Sequence, residues 1–212
     1  MAYKILDGDL DLIDKTVNEV KKNFDILKTL PVEFRKQQLR SLKKTILDTE
    51  ADWSETLKKD LGRDIYTTYT GDAQIVLAEI DHAVAHLDKW AAPRKADCPI
   101  GFYPSSCYIL PQGRGTMMVM GSWNFPFSVT IAPLVSIIAA GNCGIIKPSE
   151  NSPHTSGAIK RICDAALDHR FYRTIEGALQ TSMRLTSTPF DYIVFTGGTY
   201  TGKLVAKAAS MN

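Results

Sequence analysis

The second half of the chain alternates short β-prone runs with helical patterns, and this feature limits the possible folds most strongly. The runs lie at 116–121, 144–147, 171–175 and 192–195, and the helical patterns at 127–140, 152–167, 178–185 and from Thr199 onwards. Strands joined by helices at this spacing form a parallel sheet with helices on both faces. We therefore predict an α/β fold built on a Rossmann-like, doubly wound parallel sheet.

The first third of the chain is predicted to be helical. Apolar residues recur at steps of three and four within 10–27, 32–61 and 75–90, which is the spacing of one helix face. Gly62 is a plausible stop for the second of these helical regions. Pro93 closes the third. This part of the chain is therefore expected to precede the sheet as a helical segment.

Two β-prone runs, at 108–110 and 116–121, predict a β-hairpin between the helical segment and the sheet. The Pro and Gly residues of 111–115 between these runs supply the residues that turns require. The prediction divides the chain into a helical segment (1–106), a β-hairpin (107–120) and a partial Rossmann-like domain (121–212).

The composition argues against several kinds of partner. Lys and Arg number 25 against 23 Asp and Glu, so the net charge of +2 lacks the basic surplus of a nucleic-acid binder. The four cysteines have no metal-binding spacing, and His82 and His86 lack the Glu of an H-E-x-x-H motif, so no metal site is predicted. The longest apolar stretch, 129–141, is shorter than the roughly 20 residues that span a bilayer. With no leader before Asp7, we expect a cytoplasmic protein.

The loop at 121–127 leaves a predicted strand and enters a predicted helix. Ligands of doubly wound sheets bind beyond the carboxyl ends of the strands, so such loops are candidate sites. The carboxamide of Asn124 can donate two N–H groups to a developing oxyanion without carrying a charge. The alternative is that Asn124 only caps the following helix, with Pro126 near the first turn.

A second candidate loop begins at Lys147, the end of a predicted strand. Pro148 keeps Lys147 extended, which places the ammonium where a ligand would lie. Together with Glu150, it could hold the hydroxyls of a ribose. Alternatively, Lys147 is a solvated surface residue, Ser149 or Ser152 caps the next helix, and Glu150 lies in its first turn.

The third candidate loop, at 195–203, is rich in glycine. Glycines let a backbone approach phosphates, and the helix N-terminus that follows offers free N–H groups. Gly197, Gly202 and Lys203 nearly match the phosphate loop of nucleoside triphosphatases, but Leu204 replaces the hydroxyl residue that binds Mg²⁺. The structural alternative is that these glycines only allow tight packing between a strand and a helix.

Taken in order, the three loops resemble the aldehyde dehydrogenase superfamily, and most closely its class 3-like branch of fatty and aromatic aldehyde dehydrogenases. The resemblance rests on 121–127, on 139–142 with 147–150, and on 195–203. It implies oxidation of an aldehyde to a carboxylic acid, with hydride transfer to NAD or NADP. It also implies that Asn124 is a catalytic residue that donates to the oxyanion. The residues implied to bind the cofactor are Ser122, Trp123, Lys147, Ser149, Glu150, Thr196, Gly197, Gly198, Thr199 and Gly202.

The resemblance also assigns parts of the cofactor to parts of the chain. Lys147 and Glu150 are implied to contact the adenosine ribose, and the helix that opens at Thr199 is implied to approach the pyrophosphate. The charge of Glu150 would repel a phosphate on the ribose 2′ position and thus favour NAD. The class 3-like branch uses both cofactors, so the choice stays open.

The sequence departs from the family pattern in two respects. It contains neither the nucleophilic Cys in its family context nor the Glu-Leu-Gly-Gly-Lys motif whose Glu is the general base. We therefore expect the N-terminal portion of such an enzyme, without the catalytic domain and inactive alone. The full-length enzyme would act on an aldehyde as a homo-oligomer, such as a dimer. Two alternatives are a non-catalytic fragment that binds subunits of a full-length dehydrogenase, and a phosphate-loop nucleotide binder.

Overall fold

The computed structural model describes residues 4–211, and its N-terminal part is a layer of helices. The helices are α1 (Leu10–Lys22), α2 (Phe24–Thr29), α3 (Val32–Asp48), α4 (Glu50–Leu61), α5 (Ile65–Thr68) and α6 (Gln74–Ala91). The first predicted helix is divided at Asn23, whose side-chain amide donates to the backbone carbonyls of Glu19 and Arg170. Gly62 ends α4 with a φ of 67°, a left-handed conformation that favours glycine. Residues 1–3 and 212, which the predicted segments 1–106 and 121–212 include, lie outside the described residues.

A two-stranded antiparallel ribbon follows the helical layer. It pairs β1 (Arg94–Ala96) with β2 (Cys107–Ile109). The predicted hairpin between 108–110 and 116–121 is therefore wrong. Met118 and Val119 are fully buried, and a strand that is apolar on both faces needs cover on both, which an exposed hairpin cannot give. The division of the chain into three segments remains a prediction.

The second half forms a parallel sheet of four strands, which confirms the predicted α/β fold. Its elements are β3 (Thr116–Met120), α7 (Ser128–Ala139), β4 (Cys143–Lys147), α8 (Pro153–Ala166), β5 (Tyr172–Thr174), α9 (Leu179–Thr186), β6 (Tyr192–Phe195) and α10 (Thr199–Ala209). The strand order is β5-β4-β3-β6. The chain moves outward from β3 to β5 and then crosses to the other side of β3 to form β6. This reversal is the switch point at which doubly wound sheets bind ligands.

The helical layer packs onto the helices of the sheet. Because parallel crossovers are right-handed, α7 and α8 lie on one face, and α9, whose connection runs the other way, lies on the other. On the first face, α7 and α8 contact α3, α8 contacts α4, and α7 contacts α6. Trp53 of α4 stacks on Phe127, next to the start of α7, with ring centroids 5.1 Å apart. On the second face, α1 contacts α9.

Neither a membrane span nor a metal cluster is found in the part of the chain that the structure describes. No helix within residues 4–211 is both long and apolar enough to cross a bilayer. The same residues contain no group of three or more His, Cys, Asp or Glu side chains arranged to hold a metal ion. His82 and His86 lie side by side on α6, with ring centroids 4.3 Å apart.

Candidate functional site

An open cleft of about 520 Å³ lies at the carboxyl ends of β3, β4 and β6. These ends are adjacent because the N–H of Gly121 donates to the carbonyl of Lys147, and the N–H of Thr196 donates to that of Met120. The predicted site residues that line the cleft are Ser122, Trp123, Lys147, Ser149, Glu150, Thr196, Gly197 and Gly198. Those that do not line it are Asn124, Thr199 and Gly202. The fold thus brings together residues from all three candidate loops.

Lys147 is the most deeply buried charged group of the cleft. Its side chain is only 2% exposed, and its Nζ lies 2.5 Å from a carboxylate oxygen of Glu150, which is about one-third exposed. An ammonium is costly to bury without a partner, and the contact with Glu150 offsets part of that cost. The interpretation of Lys147 as a solvated surface lysine is therefore wrong.

The helix after this loop is capped from the helical layer. Ser152 occupies the N-cap position of α8 but makes no side-chain capping bond. The carboxylate of Asp60 in α4 instead accepts the backbone N–H groups of His154 and Thr155, at 3.2 and 2.7 Å. The Oγ of Ser149 accepts from the N–H of Asn151 at 3.2 Å, so it stabilises the turn that leads into the helix. The alternative in which Ser149 or Ser152 caps α8 is thus not what the structure contains.

Asn124 is exposed in the loop before α7. Its side-chain Oδ1 accepts a hydrogen bond from the Ser122 hydroxyl at 2.6 Å, which leaves the Nδ2 group available as a donor. Asn124 does not cap α7, because Phe127 is the N-cap residue and the N–H of Ser128 donates to Asp72 at 2.9 Å. The interpretation of Asn124 as a helix cap is therefore wrong, and its amide has no structural task at the helix start.

A buried ion pair holds this loop from the side of the helical layer. Asp72 is fully buried on a π-helical turn (Tyr69–Ala73) before α6, and its carboxylate lies 2.5 Å from a guanidinium nitrogen of Arg63. Arg63 also donates to the backbone carbonyl of Asn124 and lies over the ring of Phe125, 4.2 Å from its centroid. We call Arg63 and Asp72 the loop clamp.

Opposite effects act on the pKa of Asp72, the carboxylate of the loop clamp. Burial raises the pKa of Asp72, while the Ser128 N–H and the charge of Arg63 act in the opposite direction. A buried carboxylate in this position is sensitive to the loss of either partner, because the remaining charge would then be uncompensated. The position of the 121–127 backbone therefore depends on residues of the helical layer.

The glycine-rich loop leads directly into α10. Gly198 is the N-cap residue of this helix, so the first turn has no side-chain cap. A Cβ atom on Gly197 would lie only 2.5 Å from the Phe195 ring, whereas one on Gly198 would meet nothing within 4 Å. A side chain at position 197 would therefore displace the Phe195 ring, and Gly198 leaves the start of the helix open towards the cleft. Such an open N-terminus, with its free N–H groups and positive dipole end, is suited to an anion.

One wall of the cleft was not predicted from the sequence. It consists of side chains on α9 and α10, of which the larger are Leu179, Met183, Leu204 and Val205. Leu179, Met183 and Leu204 are more than half exposed. Their spacing indicates a helix face, and a helix face of this kind is ordinarily interpreted as part of the core. The spacing of these residues does not distinguish them from core residues, because exposure cannot be deduced from periodicity alone.

The fold and the cleft together define a class of protein. A doubly wound parallel sheet, with a cleft at its switch point and an open helix N-terminus at a strand end, is typical of Rossmann-like α/β proteins. The sequence model of the aldehyde dehydrogenase family matches residues 2–212. The chain belongs to this family, as the three loops had indicated.

Individual relatives agree with this assignment. The chain is 36% identical over 203 residues to 4,4'-diaponeurosporen-aldehyde dehydrogenase of Staphylococcus aureus, and 35% identical over 198 residues to the dimeric NADP-preferring aldehyde dehydrogenase of Canis lupus familiaris. These matches cover 96% and 93% of the chain, but only 44% of each relative. The chain thus spans less than half the length of these relatives.

Solved structures show the same fold. The substrate-bound state of Staphylococcus aureus AldH superposes with a TM-score of 0.90 at 36% identity, covering 94% of this chain and 44% of that one. GapN of Methanocaldococcus jannaschii, solved with NADP, superposes with a TM-score of 0.85 at 18% identity, covering 99% of this chain and 46% of that one. The second likeness concerns the fold alone.

Proposed function

We propose that this chain supplies most of the dinucleotide-binding region of an NAD(P)-dependent enzyme that oxidises an aldehyde to a carboxylic acid. The observation that carries the proposal is the arrangement around one cleft. The buried Lys147–Glu150 pair and the open N-terminus of α10 both face it, at the switch point of the sheet. The bound nicotinamide cofactor would supply the hydride acceptor.

The residues of the cleft fit the parts of a dinucleotide. Lys147 would donate to a ribose hydroxyl and Glu150 would accept from one, so the pair can hold both hydroxyls of a sugar. The N–H groups at the start of α10 would accommodate a pyrophosphate. The apolar side chains of α9 and α10 offer a surface on which a planar base can lie, with Leu179 and Met183 on one helix and Leu204 on the other.

We propose that NAD binds more tightly than NADP because of the position of Glu150. The carboxylate of Glu150, placed to accept from a ribose hydroxyl, would repel a phosphate at the 2′ position. The relative from Canis lupus familiaris, by its name, prefers NADP, so members of the family differ in this property. A comparison of the two cofactors on this chain therefore tests the role of Glu150 directly. We expect Glu150→Gln to narrow the difference in Kd between NAD and NADP.

Titration calorimetry with NAD and with NADP is the test of cofactor binding. Lys147→Met keeps the volume of the side chain but removes the donor, and we expect it to weaken NAD binding about tenfold, as loss of a charged hydrogen bond does. Gly198→Ala adds a methyl group at the open helix start and is expected to weaken binding without unfolding the chain. Gly101→Ala is the matched control, since its Cβ also meets nothing within 4 Å and lies outside the cleft.

Two results would contradict the proposal for the cleft. One is the absence of heat with either cofactor on a chain that circular dichroism shows to be folded. The other is an equal Kd for wild type, Lys147→Met and Gly198→Ala, which would place any binding elsewhere. The alternative phosphate-loop function predicts instead Mg²⁺-dependent binding of ATP or GTP, so the same titration with these nucleotides separates the two.

Asn124 is proposed to act in the oxidation itself. Its Oδ1 is engaged by Ser122, so its amide N–H groups are the part that would donate to the oxyanion of the reacting aldehyde. Within the described residues no cysteine lines the cleft, and we expect no aldehyde oxidation by these 212 residues alone. An assay of reduced cofactor formation with an aromatic and a long-chain aldehyde checks this expectation. Turnover by the purified chain would contradict it.

We also propose that copies of the protein associate through the ribbon. The ribbon, the loop between its strands and the residue after β2 expose large apolar side chains, which in an isolated chain would contact water. They are Ile100, Phe102, Tyr103, Tyr108, Ile109 and Leu110. Exposed apolar side chains grouped in this way are typical of protein interfaces. Light scattering after size exclusion should give more than one copy per particle, and Tyr108→Glu should reduce this number; a wild-type monomer at high concentration would contradict the proposal.

A further inference from the structure

Two cysteines meet at the end of the ribbon. Ala96 of β1 lies opposite Cys107 of β2, and Cys98 follows Ala96 by two residues. Directly opposed residues of an antiparallel pair lie close together. Cys98 lies two residues beyond the end of β1, so the register of the ribbon brings it close to Cys107.

The two thiols interact, and both reach solvent. Cys98 and Cys107 are each partly exposed. The hydrogen bond between their side chains is the main cause that raises the pKa of Cys98, so the two thiols are in contact.

The other two cysteines of the chain provide a contrast. Cys143 in β4 and Cys163 in α8 are buried. Burial raises the pKa of each thiol to about 12, so the reactive thiolate is scarce at neutral pH. The described chain thus contains one pair of accessible thiols in mutual contact and two isolated thiols in the core.

We propose that Cys98 and Cys107 are a reversible oxidation site, at which a small disulfide such as oxidised glutathione converts the two thiols into an intramolecular disulfide. The Cys107 thiolate attacks one sulfur of the oxidant, forms a mixed disulfide and releases one small thiol. Cys98 then loses its proton and attacks the Cys107 sulfur, which releases the second small thiol. The two protein thiols lose two electrons and two protons in total, and the oxidant disulfide is reduced to two thiols.

The disulfide would close the loop between the strands of the ribbon. This loop carries the exposed side chains of Ile100, Phe102 and Tyr103. Joining Cys98 to Cys107 removes conformations in which the loop opens away from the ribbon. In the Tyr108→Glu variant, in which association through the ribbon is expected to be reduced, oxidation should slow cleavage within 99–106 by a protease that recognises aromatic residues, and reduction should restore the original rate.

Peptide mapping after oxidation tests the proposal on the folded chain. The chain is exposed to oxidised glutathione at neutral pH, the remaining thiols are alkylated in denaturant, and the protein is digested with trypsin. Cleavage after Lys95 and Arg114 places both cysteines on one peptide, 96–114. We expect this peptide to lack two hydrogen atoms and to carry no alkyl group, while Cys143 and Cys163 are alkylated as in the untreated protein.

Single variants separate the two steps. In Cys98→Ser, the attack by Cys107 can occur but cannot be completed, so we expect a persistent glutathione adduct on Cys107. The internal disulfide should form at least about tenfold faster in the folded chain than in urea, because the fold holds the thiols together at a high effective concentration. Full alkylation of both cysteines after treatment, two stable glutathione adducts without an internal bond, or equal rates in the folded and unfolded chain would each overturn the proposal.

Discussion

One wall of the cleft is formed by β4 and the 121–127 loop, and the other by β6, α9 and α10. The residues that hold these two walls in place differ in how deeply they are buried. On one side, every residue of β4 is buried, and the loop clamp fixes the neighbouring 121–127 loop with a fully buried carboxylate. On the other side, β6 is an edge strand with a half-exposed Tyr192, and Val205 alone is buried along the described α10. The ion pair between Asp14 of α1 and Arg184 of α9, which supports this second wall, lies at the surface.

This difference indicates a division of roles between the walls. A segment with many buried contacts opens only with global unfolding, whereas one with few buried contacts opens locally at lower free energy. We therefore expect the wall that carries Lys147 to be preset for a ligand and the α9–α10 wall to adjust to it. Three experiments test this contrast, from the largest expected effect to the smallest.

Asp72→Ala removes the carboxylate of the loop clamp and should have the largest effect. It leaves the Arg63 guanidinium and the Ser128 N–H without their buried partner, and loss of one member of a buried pair costs about 3–5 kcal/mol. Urea unfolding at neutral pH measures the change in the free energy of unfolding. Asp81→Ala on α6 is the control, because its ion pair with Lys43 is exposed and should contribute less than about 1 kcal/mol. Equal losses for both variants would show that burial of the clamp has no energetic consequence.

Ile145→Ala and Ile193→Ala compare the two walls at one level of the sheet. Both residues pair with Met118, from β4 on one side and from β6 on the other. Ile145 is fully buried and Ile193 only partly, so truncation should cost about 2–5 kcal/mol at Ile145 and less than half of that at Ile193. The same unfolding measurement gives both values. A larger loss at Ile193 would mean that β6 is supported better than its burial suggests.

Asp14→Asn should have the smallest effect. Arg184 lowers the pKa of Asp14 below 3.8, so the ion pair stabilises the folded state above that pH and its contribution disappears as the pH falls through the lowered pKa. At neutral pH the loss should be under about 1 kcal/mol, since the pair is at the surface. The free energy of unfolding of wild type and variant, measured at neutral pH and well below pH 3.8, checks the sign of this pH dependence. A difference that grows in acid would contradict this account.

Much of the fold could be predicted from the sequence because it depends on local periodicity. The helical spacing and the β-prone runs placed every strand of the sheet. The pairing of the ribbon could not be predicted in this way. The turn residues at 111–115 are compatible both with pairing of the flanking strands β2 and β3 and with their lying in separate sheets. The pairing is decided by distant contacts: a Cβ on Gly113 would lie 2.1 Å from the carbonyl oxygen of Gly141, so the chain there passes closely over the end of α7.

In the candidate site, too, features set by local sequence could be predicted and features set by distant contacts could not. Lys147 is the last residue of β4, and Gly197 and Gly198 come soon after β6, so their proximity followed from the predicted topology. The loop clamp was not predicted, because the hydrogen bond from Ser128 to Asp72 joins residues 56 positions apart and depends on a π-helical turn that no sequence pattern indicated. The apolar wall was missed for the opposite reason, since its residues have the ordinary spacing of a buried helix face.

The capping of α8 and α7 has a consequence for how the chain can be divided. At the start of each of these helices a backbone N–H donates to a carboxylate of the N-terminal helical layer, Asp60 for α8 and Asp72 for α7. A polypeptide cut between the helical layer and the sheet would leave both helix starts without an acceptor. The two parts should consequently melt in a single cooperative transition, and a sheet expressed without its helical layer should not form a stable independent module.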